Sequence, residues 1–304
     1  MTMKSDDIKR LCAEYGIVPS KSKGQNFLLD ESYCDSMVQV ARLTPDDVVV
    51  EIGPGFGVLT EKLIATGARV IAVELDKKLI PYLENRFKDS MNFKLIEGDI
   101  LRMTKSGELW GIVGGDAPGG RLYTVVANLP YAITSPILKV FLTAEHKPQQ
   151  MVVMVQKEVA ERICAQPGEM SLLALSVQYY ADVRIVEQVP RTVFLPIPEV
   201  ASAIICIDVA TKNNPPLPEA DPPLAEAGRQ KTRDEQQVFQ LARMAFAGKR
   251  KQLKNSLANG LHCTIAEAVA LLESAGINPF IRPQELGVGD WTKIAEEQEI
   301  RSKG

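Results

Sequence analysis

The sequence predicts an α/β fold: a mostly parallel sheet of the nucleotide-binding kind, followed by a small domain built of helices. Two observations predict the sheet. An apolar run at Val48–Ile52 leads into a glycine turn and an amphipathic segment, and strand-like runs then alternate with helical patterns to about residue 209. The helical domain is predicted by a proline-rich stretch near residue 210, after which helix-forming patterns continue.

These patterns divide the 304 residues into four parts. The parts are an N-terminal arm at 1–30, the sheet domain at 31–209, a proline-rich linker at 210–230 that is poor in helix potential, and the helical domain at 231–304. Late strands of the sheet are predicted near 151–155, 183–187 and 203–208.

Three helices are predicted after the linker. The first is amphipathic and covers 236–247. A capping box, Thr264 to Glu267, begins the second, which ends near 275–276. Asp290 is expected to cap the last helix, which runs through Ile300.

The glycine turn, Gly53-Pro54-Gly55-Phe56-Gly57, connects the first strand of the sheet to its helix. Its spacing is G-x-G-x-G, which differs from the dinucleotide motif G-x-G-x-x-G because Val58 stands where that motif needs its last glycine. Glu51 lies two residues before the turn, where a carboxylate repels pyrophosphate and favours a cation. This chemistry fits the sulfonium and amino group of S-adenosylmethionine better than NAD.

Acidic residues follow the next two predicted strands. Glu74 ends the strand at 69–73, and a carboxylate at that position can accept two hydrogen bonds from a ribose diol. Asp99 follows the strand at 93–96 and can accept from an adenine amine while Ile100 packs on the ring. Because ligands bind at the carboxyl ends of strands in open α/β sheets, these residues are expected to share one site.

A fourth apolar run ends in Asn128-Leu129-Pro130-Tyr131. The side-chain carbonyl of Asn128 and the backbone carbonyl of Pro130 can accept both N–H bonds of a planar amine placed between them. Tyr131 supplies an aromatic face for a flat ring. The tetrapeptide therefore predicts a site for the exocyclic amine of a nucleobase.

Composition excludes several classes of protein. No apolar run approaches the length of a transmembrane helix, and the N terminus lacks the core of a signal peptide, so no membrane association is expected. The five cysteines are scattered, and with two histidines in the chain a Cys/His metal site is not expected. Reduced cysteines and a cytoplasmic location are expected.

Charge is distributed unevenly along the chain. The net charge of −3 argues mildly against nucleic-acid binding, because phosphate contacts dominate such affinity. Basic residues nevertheless concentrate in the helical domain, and the densest run contains Lys249, Arg250, Lys251 and Lys254. This run suits a partner that is recognised by its shape at a defined place, the alternative being a solvated helix face.

Several motifs together resemble the ribosomal RNA adenine dimethyltransferase A family, the adenine N6-methyltransferases of small-subunit rRNA. They are 23–28 (Lys-Gly-Gln-Asn-Phe-Leu), the glycine motif at 51–60, the amine motif and following helix at 128–138, Gln156 to Arg162, and Phe194 to Pro198. The resemblance covers about residues 20 to 260. It implies a Rossmann-like, S-adenosylmethionine-dependent methyltransferase sheet with a small all-helical C-terminal domain.

The resemblance also implies roles for individual residues. Residues implied to bind S-adenosylmethionine are Gln25, Asn26, Leu28, Gly53, Gly55, Glu74, Asp99, Ile100 and Asn128. Residues implied to act on the target base are Asn128, Pro130, Tyr131 and Phe194, with Tyr131 and Phe194 on either side of the base. Residues 111–120 are read as a glycine-rich loop longer than the family usually carries.

The implied function is N6-dimethylation of two adjacent adenosines in a hairpin loop near the 3′ end of small-subunit rRNA. The substrate would be the rRNA within a 30S-type assembly particle, and the enzyme would be monomeric and contribute to maturation of the small subunit. Three alternatives remain open: a non-catalytic assembly factor on the same fold, a nicotinamide-dependent oxidoreductase, and a large-subunit rRNA adenine methyltransferase.

Overall fold

The computed structural model describes residues 5–17, 26–114, 122–209, 224–248 and 251–303. Its strands are β1 (Phe27–Leu28), β2 (Val48–Ile52), β3 (Arg69–Glu74), β4 (Phe93–Glu97), β5 (Tyr123–Asn128), β6 (Gln150–Gln156), β7 (Asp182–Val189), β8 (Phe194–Leu195) and β9 (Ser202–Asp208). Its helices are α1 (Ser5–Glu14), α2 (Ser32–Ala41), α3 (Val58–Ala65), α4 (Ile80–Arg86), α5 (Ile100–Ser106), α6 (Glu108–Gly114), α7 (Thr134–Thr143), α8 (Lys157–Ile163), α9 (Leu172–Gln178), α10 (Leu224–Ala247), α11 (Leu253–Leu261), α12 (Ile265–Ser274) and α13 (Val288–Lys303).

Seven strands form one sheet in the order β4-β3-β2-β5-β6-β9-β7. The first five are parallel, whereas β9 runs antiparallel to both β6 and β7. Every residue of β2 is buried, as expected for a parallel strand with both faces covered. The chain moves outward from β2 to β4 on one side and from β5 to β6 on the other, so the crevice where ligands bind in such sheets opens between β2 and β5.

The predicted α/β class and the three late strands are confirmed. Two loop predictions need correction. Part of the expected loop at 111–120 belongs to α6, which ends at Gly114, and residues 115–120 lie outside the described ranges. The expected linker at 210–230 is helical from Leu224 onward, because the helix predicted from residue 236 begins twelve residues earlier.

The chain separates into two compact units. The first contains Met1–Glu161 and Tyr180–Asn213, and the second contains Arg162–Tyr179 and Asn214–Gly304. The sequence-based division had placed 162–179 in the sheet domain, but α9 from this segment packs in the core of the helical unit.

In the first unit, apolar side chains cover both faces of the sheet. One cluster joins α2 and α3 to the strands, with Met37 and Leu63 fully buried. In another, Ile8 of α1 packs against Phe56 and Leu79. The short antiparallel pair β1–β8 places Leu28 opposite Phe194.

The second unit is helical. Its core surrounds Trp291 and includes apolar side chains from α9, α10, α11, α12 and α13. The predicted capping box is present, since the Thr264 hydroxyl accepts from the Glu267 N–H and the Glu267 carboxylate accepts from the Thr264 N–H. Asp290 lies inside the first turn of α13, not before it, and its carboxylate accepts from the Gly287 N–H at 3.0 Å.

Candidate active site

A cavity of about 350 Å³ opens at the carboxyl ends of the parallel strands. This volume lies within the usual range for small-molecule pockets. Predicted site residues that line it are Asn26, Leu28, Gly53, Gly55, Glu74, Asp99, Ile100, Asn128, Pro130 and Tyr131. The structure therefore brings the ends of β2, β3, β4 and β5 together around one space.

The glycine turn forms the floor of this cavity between β2 and α3. Gly53, Gly55 and Gly57 have φ values of 67°, 58° and 76°, in the left-handed region that disfavours side chains. A Cβ atom at Gly57 would also lie 2.6 Å from the Phe87 ring. The turn thus needs glycine for its backbone shape, and it leaves the backbone open to close approach by a ligand.

Glu74 is a buried carboxylate held by backbone N–H groups. Its Oε2 accepts from Gly55 at 3.3 Å, and its Oε1 accepts from Asp76 at 2.7 Å. Burial raises the pKa of Glu74, and these hydrogen bonds oppose the rise because they favour the charged form. A carboxylate has about four lone-pair sites, so Glu74 can still accept from a ribose hydroxyl.

Glu51 is a second carboxylate in the wall, only 1 % exposed. The Thr60 hydroxyl donates to its Oε2 at 2.7 Å. Burial raises the pKa of Glu51 to about 8; the bond from Thr60 acts against this rise, and the charge of Glu74 adds to it. A cation next to Glu51 would favour its ionised form, so this end of the cavity suits a positively charged ligand group.

Asp99 and Ile100 line the cavity at the end of β4. The Asp99 side chain caps α5, with its Oδ1 accepting from the Leu101 N–H at 2.9 Å. Ile100 is buried and contributes an apolar wall. Leu75 also lines the cavity and is 67 % exposed; it was missed by the sequence analysis, although its place directly after Glu74 at a strand end was the available signal.

Asn128 ends β5 at the other side of the cavity. Its Nδ2 donates to the Asn26 carbonyl at 3.4 Å. Because that partner can only accept, the bond defines which way the amide is turned, and the Oδ1 is left to accept from a ligand. The predicted carbonyl of Asn128 is therefore available on the cavity side of the strand end.

The Pro130 carbonyl is already engaged. It accepts from the Ile133 N–H at 3.1 Å and from the Thr134 hydroxyl at 3.5 Å, within the turn that leads into α7. The Ile133 N–H occupies one lone pair of the oxygen, and the Thr134 hydroxyl lies at a longer distance beside the other. Its neighbour Leu129 also lines the cavity, and no donor within the described ranges reaches the Leu129 carbonyl.

Tyr131 is half-buried in the cavity wall, and its hydroxyl lies 2.7 Å from the Ser202 hydroxyl. Burial raises the pKa of Tyr131. Phe194, which was expected to face the same base, is 1 % exposed and lies in the core beside β1. Because Phe194 pairs with Leu28 across β1–β8 and packs inward, the structure does not bring it to the cavity.

The remaining predicted residues lie elsewhere. Gln25, Lys249 and Arg250 fall outside the described ranges. In the helical unit Lys251 is exposed, and the Lys254 ammonium lies 3.9 Å from the centre of the Phe280 ring.

Across the described ranges, no three His, Cys, Asp or Glu side chains are grouped so as to hold a metal ion. None of the helices described has the length and apolar content to span a bilayer.

Comparison with known proteins gives one consistent family. The model of the family "Ribosomal RNA adenine dimethylase" matches residues 19–299. A protein of Dehalococcoides mccartyi strain 195 named ribosomal RNA small subunit methyltransferase A is 42% identical over 286 residues, which are 94% of this chain and 90% of that protein.

Two solved structures share the fold. A dimethyladenosine transferase from Plasmodium falciparum matches with a TM-score of 0.71 at 23% identity, over 91% of this chain and 98% of that one. The 23S rRNA methyltransferase ErmE matches with a TM-score of 0.65 at 24% identity, over 90% of this chain and 100% of that one. These likenesses support the Rossmann-like methyltransferase fold implied by the sequence motifs.

Proposed function

The chain belongs to the ribosomal RNA adenine dimethylase family, and from this we propose that it dimethylates N6 of two adjacent adenosines in small-subunit rRNA. The pair would lie in a hairpin loop near the 3′ end of that RNA. The observation that carries the proposal is a single cavity lined by both Glu74, which can accept from a cofactor ribose, and Asn128, which can accept from a target amine.

The cofactor is S-adenosylmethionine, and the cavity residues fit it. The glycine turn, with its positive φ values, lets a ligand approach the backbone closely, and Glu74 can accept from a ribose. Asp99 offers an acceptor for the adenine amine, and Ile100 offers an apolar wall for its ring. The buried carboxylate of Glu51 favours the positive end of the molecule. When bound, S-adenosylmethionine supplies a methyl group activated by its positively charged sulfur.

The residues at the end of β5 would hold and orient the target amine. An adenine amine is a weak nucleophile, because its lone pair is delocalised into the ring. A hydrogen bond from the amine to the Asn128 Oδ1 favours a pyramidal nitrogen and localises that pair. The second acceptor expected from the sequence was the Pro130 carbonyl, but its two existing donors favour the Leu129 carbonyl instead.

Orientation then supplies much of the rate, with Tyr131 stacked on the base. No nucleophilic side chain is required, since the amine itself would form the new N–C bond while the bond from the methyl carbon to sulfur breaks and its electron pair stays on the sulfur, which leaves as a neutral thioether. The acidic ammonium product would then lose its proton to solvent water, without a dedicated base. Phe194 would act indirectly, by holding the β1–β8 pair, which places Leu28 and the adjoining Asn26 at the cavity wall.

We further propose that the protein acts as a monomer in the cytoplasm on rRNA within a 30S-type particle, and that it contributes to maturation of that particle. The sheet domain would carry out catalysis, and the helical domain would contact RNA through Lys249, Arg250, Lys251 and Lys254. The concentration of basic residues in this run of an otherwise acidic chain supports assigning RNA contact to the helical domain.

The test measures transfer of labelled methyl groups to unmethylated small subunits, to large subunits and to protein-free rRNA. Two dimethylated adenosines in small-subunit RNA, and none in the Asn128→Ala variant, are expected. Label confined to large-subunit RNA would contradict the assigned substrate. A wild-type protein that binds small subunits and S-adenosylmethionine but transfers no methyl group would identify a non-catalytic assembly factor.

A further inference from the structure

Tyr131 is fixed at both ends of its side chain. Its backbone begins the short 3₁₀ turn Tyr131–Ile133, which follows directly on Pro130. Its hydroxyl forms a hydrogen bond of 2.7 Å with the Ser202 hydroxyl, 71 residues later in the chain. A ring held at both ends has little freedom to swing within the cavity wall.

Ser202 is a rigid anchor for this bond. It is 0 % exposed and is the first residue of β9, where it pairs with Gln156 of β6 on one side and Val189 of β7 on the other. The residue before it, Ala201, accepts from the Lys157 N–H at 2.9 Å. Because strands on both sides hold its backbone, Ser202 presents its hydroxyl at a fixed point.

We propose that Ser202 is a positioning residue for methyl transfer, whose hydroxyl fixes the Tyr131 ring in the orientation that stacks the target base. This inference rests on the proposed function, because it assigns Ser202 to the same reaction. Ser202 itself does not line the cavity and touches neither substrate in this role.

The two substrates should respond differently to loss of this bond. Among the described residues, no hydrogen bond joins the glycine turn or Glu74, at the S-adenosylmethionine edge of the cavity, to the Tyr131–Ser202 pair. Loosening the ring therefore leaves cofactor binding intact and lowers the fraction of bound adenosines that are aligned for reaction. The loss should appear in kcat and much less in the dissociation constant of S-adenosylmethionine.

The experiment is a double-mutant cycle with Tyr131→Phe and Ser202→Ala. Each removes one partner of the bond, and each is expected to lower kcat for methylation of small subunits by about threefold to tenfold, the range for one hydrogen bond. Since both remove the same interaction, the double variant should be no slower than the slower single variant. Cofactor binding, measured by calorimetry, should stay within about twofold of the wild type in all three.

Thr124→Val is the matched control. Thr124 is a buried residue at the opposite end of β5 from Asn128, and its hydroxyl accepts from the Gln149 amide at 3.2 Å. This variant also loses one buried hydroxyl and one hydrogen bond from the same sheet, but kcat should not change. An equal loss of kcat in Thr124→Val would show that general weakening of the sheet explains the effect and would overturn the inference.

Unchanged kcat in Ser202→Ala, or multiplicative losses in the double variant, would also overturn it. If Ser202→Ala does not fold, Tyr131→Phe decides alone: a drop in kcat supports the inference, and normal kcat rejects it. Failure of the proposed function looks different, because the wild-type protein itself would then methylate no small-subunit RNA.

Discussion

At the scale of single residues, two buried carboxylates give the cavity its chemical character. Glu74 is held by backbone N–H groups at the end of β3, and Glu51 lies beneath the glycine turn with Thr60 as its hydrogen-bond donor. Burial raises the pKa of both residues, and hydrogen bonds that favour the charged form oppose the rise, from Thr60 at Glu51 and from several backbone N–H groups at Glu74. We propose that the same residue type serves two purposes here, hydrogen bonding at one strand end and attraction of a cation at another.

Replacing Glu74 with alanine should weaken binding of S-adenosylmethionine by about 1.5–3 kcal/mol, the usual scale for hydrogen bonds to a charged group. Titration calorimetry measures this directly. The exposed carboxylate Glu84 on α4 provides a control, since Glu84→Ala should leave the affinity unchanged. Equal affinity in the wild type and in Glu74→Ala would remove Glu74 from the site.

Asn128→Ala and Tyr131→Ala should abolish most methyl transfer while the protein remains folded. Their roles belong to the bound base, so the turnover rate should fall more than the affinity for S-adenosylmethionine. Single-turnover methylation of small subunits and thermal unfolding together check this expectation. Near-normal turnover in either variant would contradict the proposed holding of the amine.

Glu51 should make stability depend on pH when the cofactor is absent. Its folded pKa of about 8 is above the ordinary value of 4.5, so between these values the folded state binds the additional proton. The contribution of Glu51 to the free energy of unfolding should therefore fall as the pH rises through this window. Denaturant unfolding at several pH values should show a weaker dependence for Glu51→Gln than for the wild type; an identical dependence would show that Glu51 is not the responsible group.

At the scale of elements, strand ends were predictable from sequence and the partners of short segments were not. An apolar run before a glycine turn identified the end of β2, and apolar runs followed by an acidic or amide residue identified the ends of β3, β4 and β5. The signal is clearest in β2, β3 and β5, which are buried along most of their length, whereas β4 lies at the sheet edge and is only partly buried. The two-residue pair β1–β8 has no periodic pattern to detect, and it is what buries Phe194. Likewise, the first turns of α10 follow a proline-rich stretch, which suggested a linker.

Helix α12 offers a test of local stability. Thr264 and Glu267 satisfy each other's backbone N–H groups in the capping box. Thr264→Ala should destabilise the protein by about 0.5–2 kcal/mol, as measured by urea denaturation. Glu273→Ala, at an exposed position near the other end of the same helix, is the control, and a cost as large as that of Thr264→Ala would show that the cap has no special role.

At the scale of the whole molecule, charge separates the two proposed tasks. The chain is acidic overall, with a net charge of −3, whereas its densest basic run belongs to the helical unit. The sequence located that run but could not show that residues 162–179 pack in the same unit. Segment 162–179 follows the fifth parallel strand in the chain but packs in the core of the helical unit. Packing between segments this far apart in sequence leaves no local signal.

Reversing Lys249, Arg250 and Lys251 to glutamate should weaken binding to the small subunit. A plot of log affinity against log salt concentration has a negative slope, and each lost phosphate contact should reduce its magnitude by roughly 0.7–0.9. The exposed lysines Lys88, Lys94 and Lys105 of the sheet unit, reversed together, match the change in charge. If both triple reversals reduce affinity and slope alike, the basic run has no specific role and acts only through net charge.

The insertion of β9 between β6 and β7 has a consequence for synthesis of the chain on the ribosome. Strand β7 occupies the edge of the sheet, and β9 is its neighbour there, although β9 is made later. Because translation proceeds from the N terminus, β7 emerges without a docking partner and must wait until residue 208 has left the exit tunnel. The parallel half of the sheet can assemble earlier, but Tyr131 meets Ser202 only with that last strand, so a nascent chain could hold the cofactor before it could align a base.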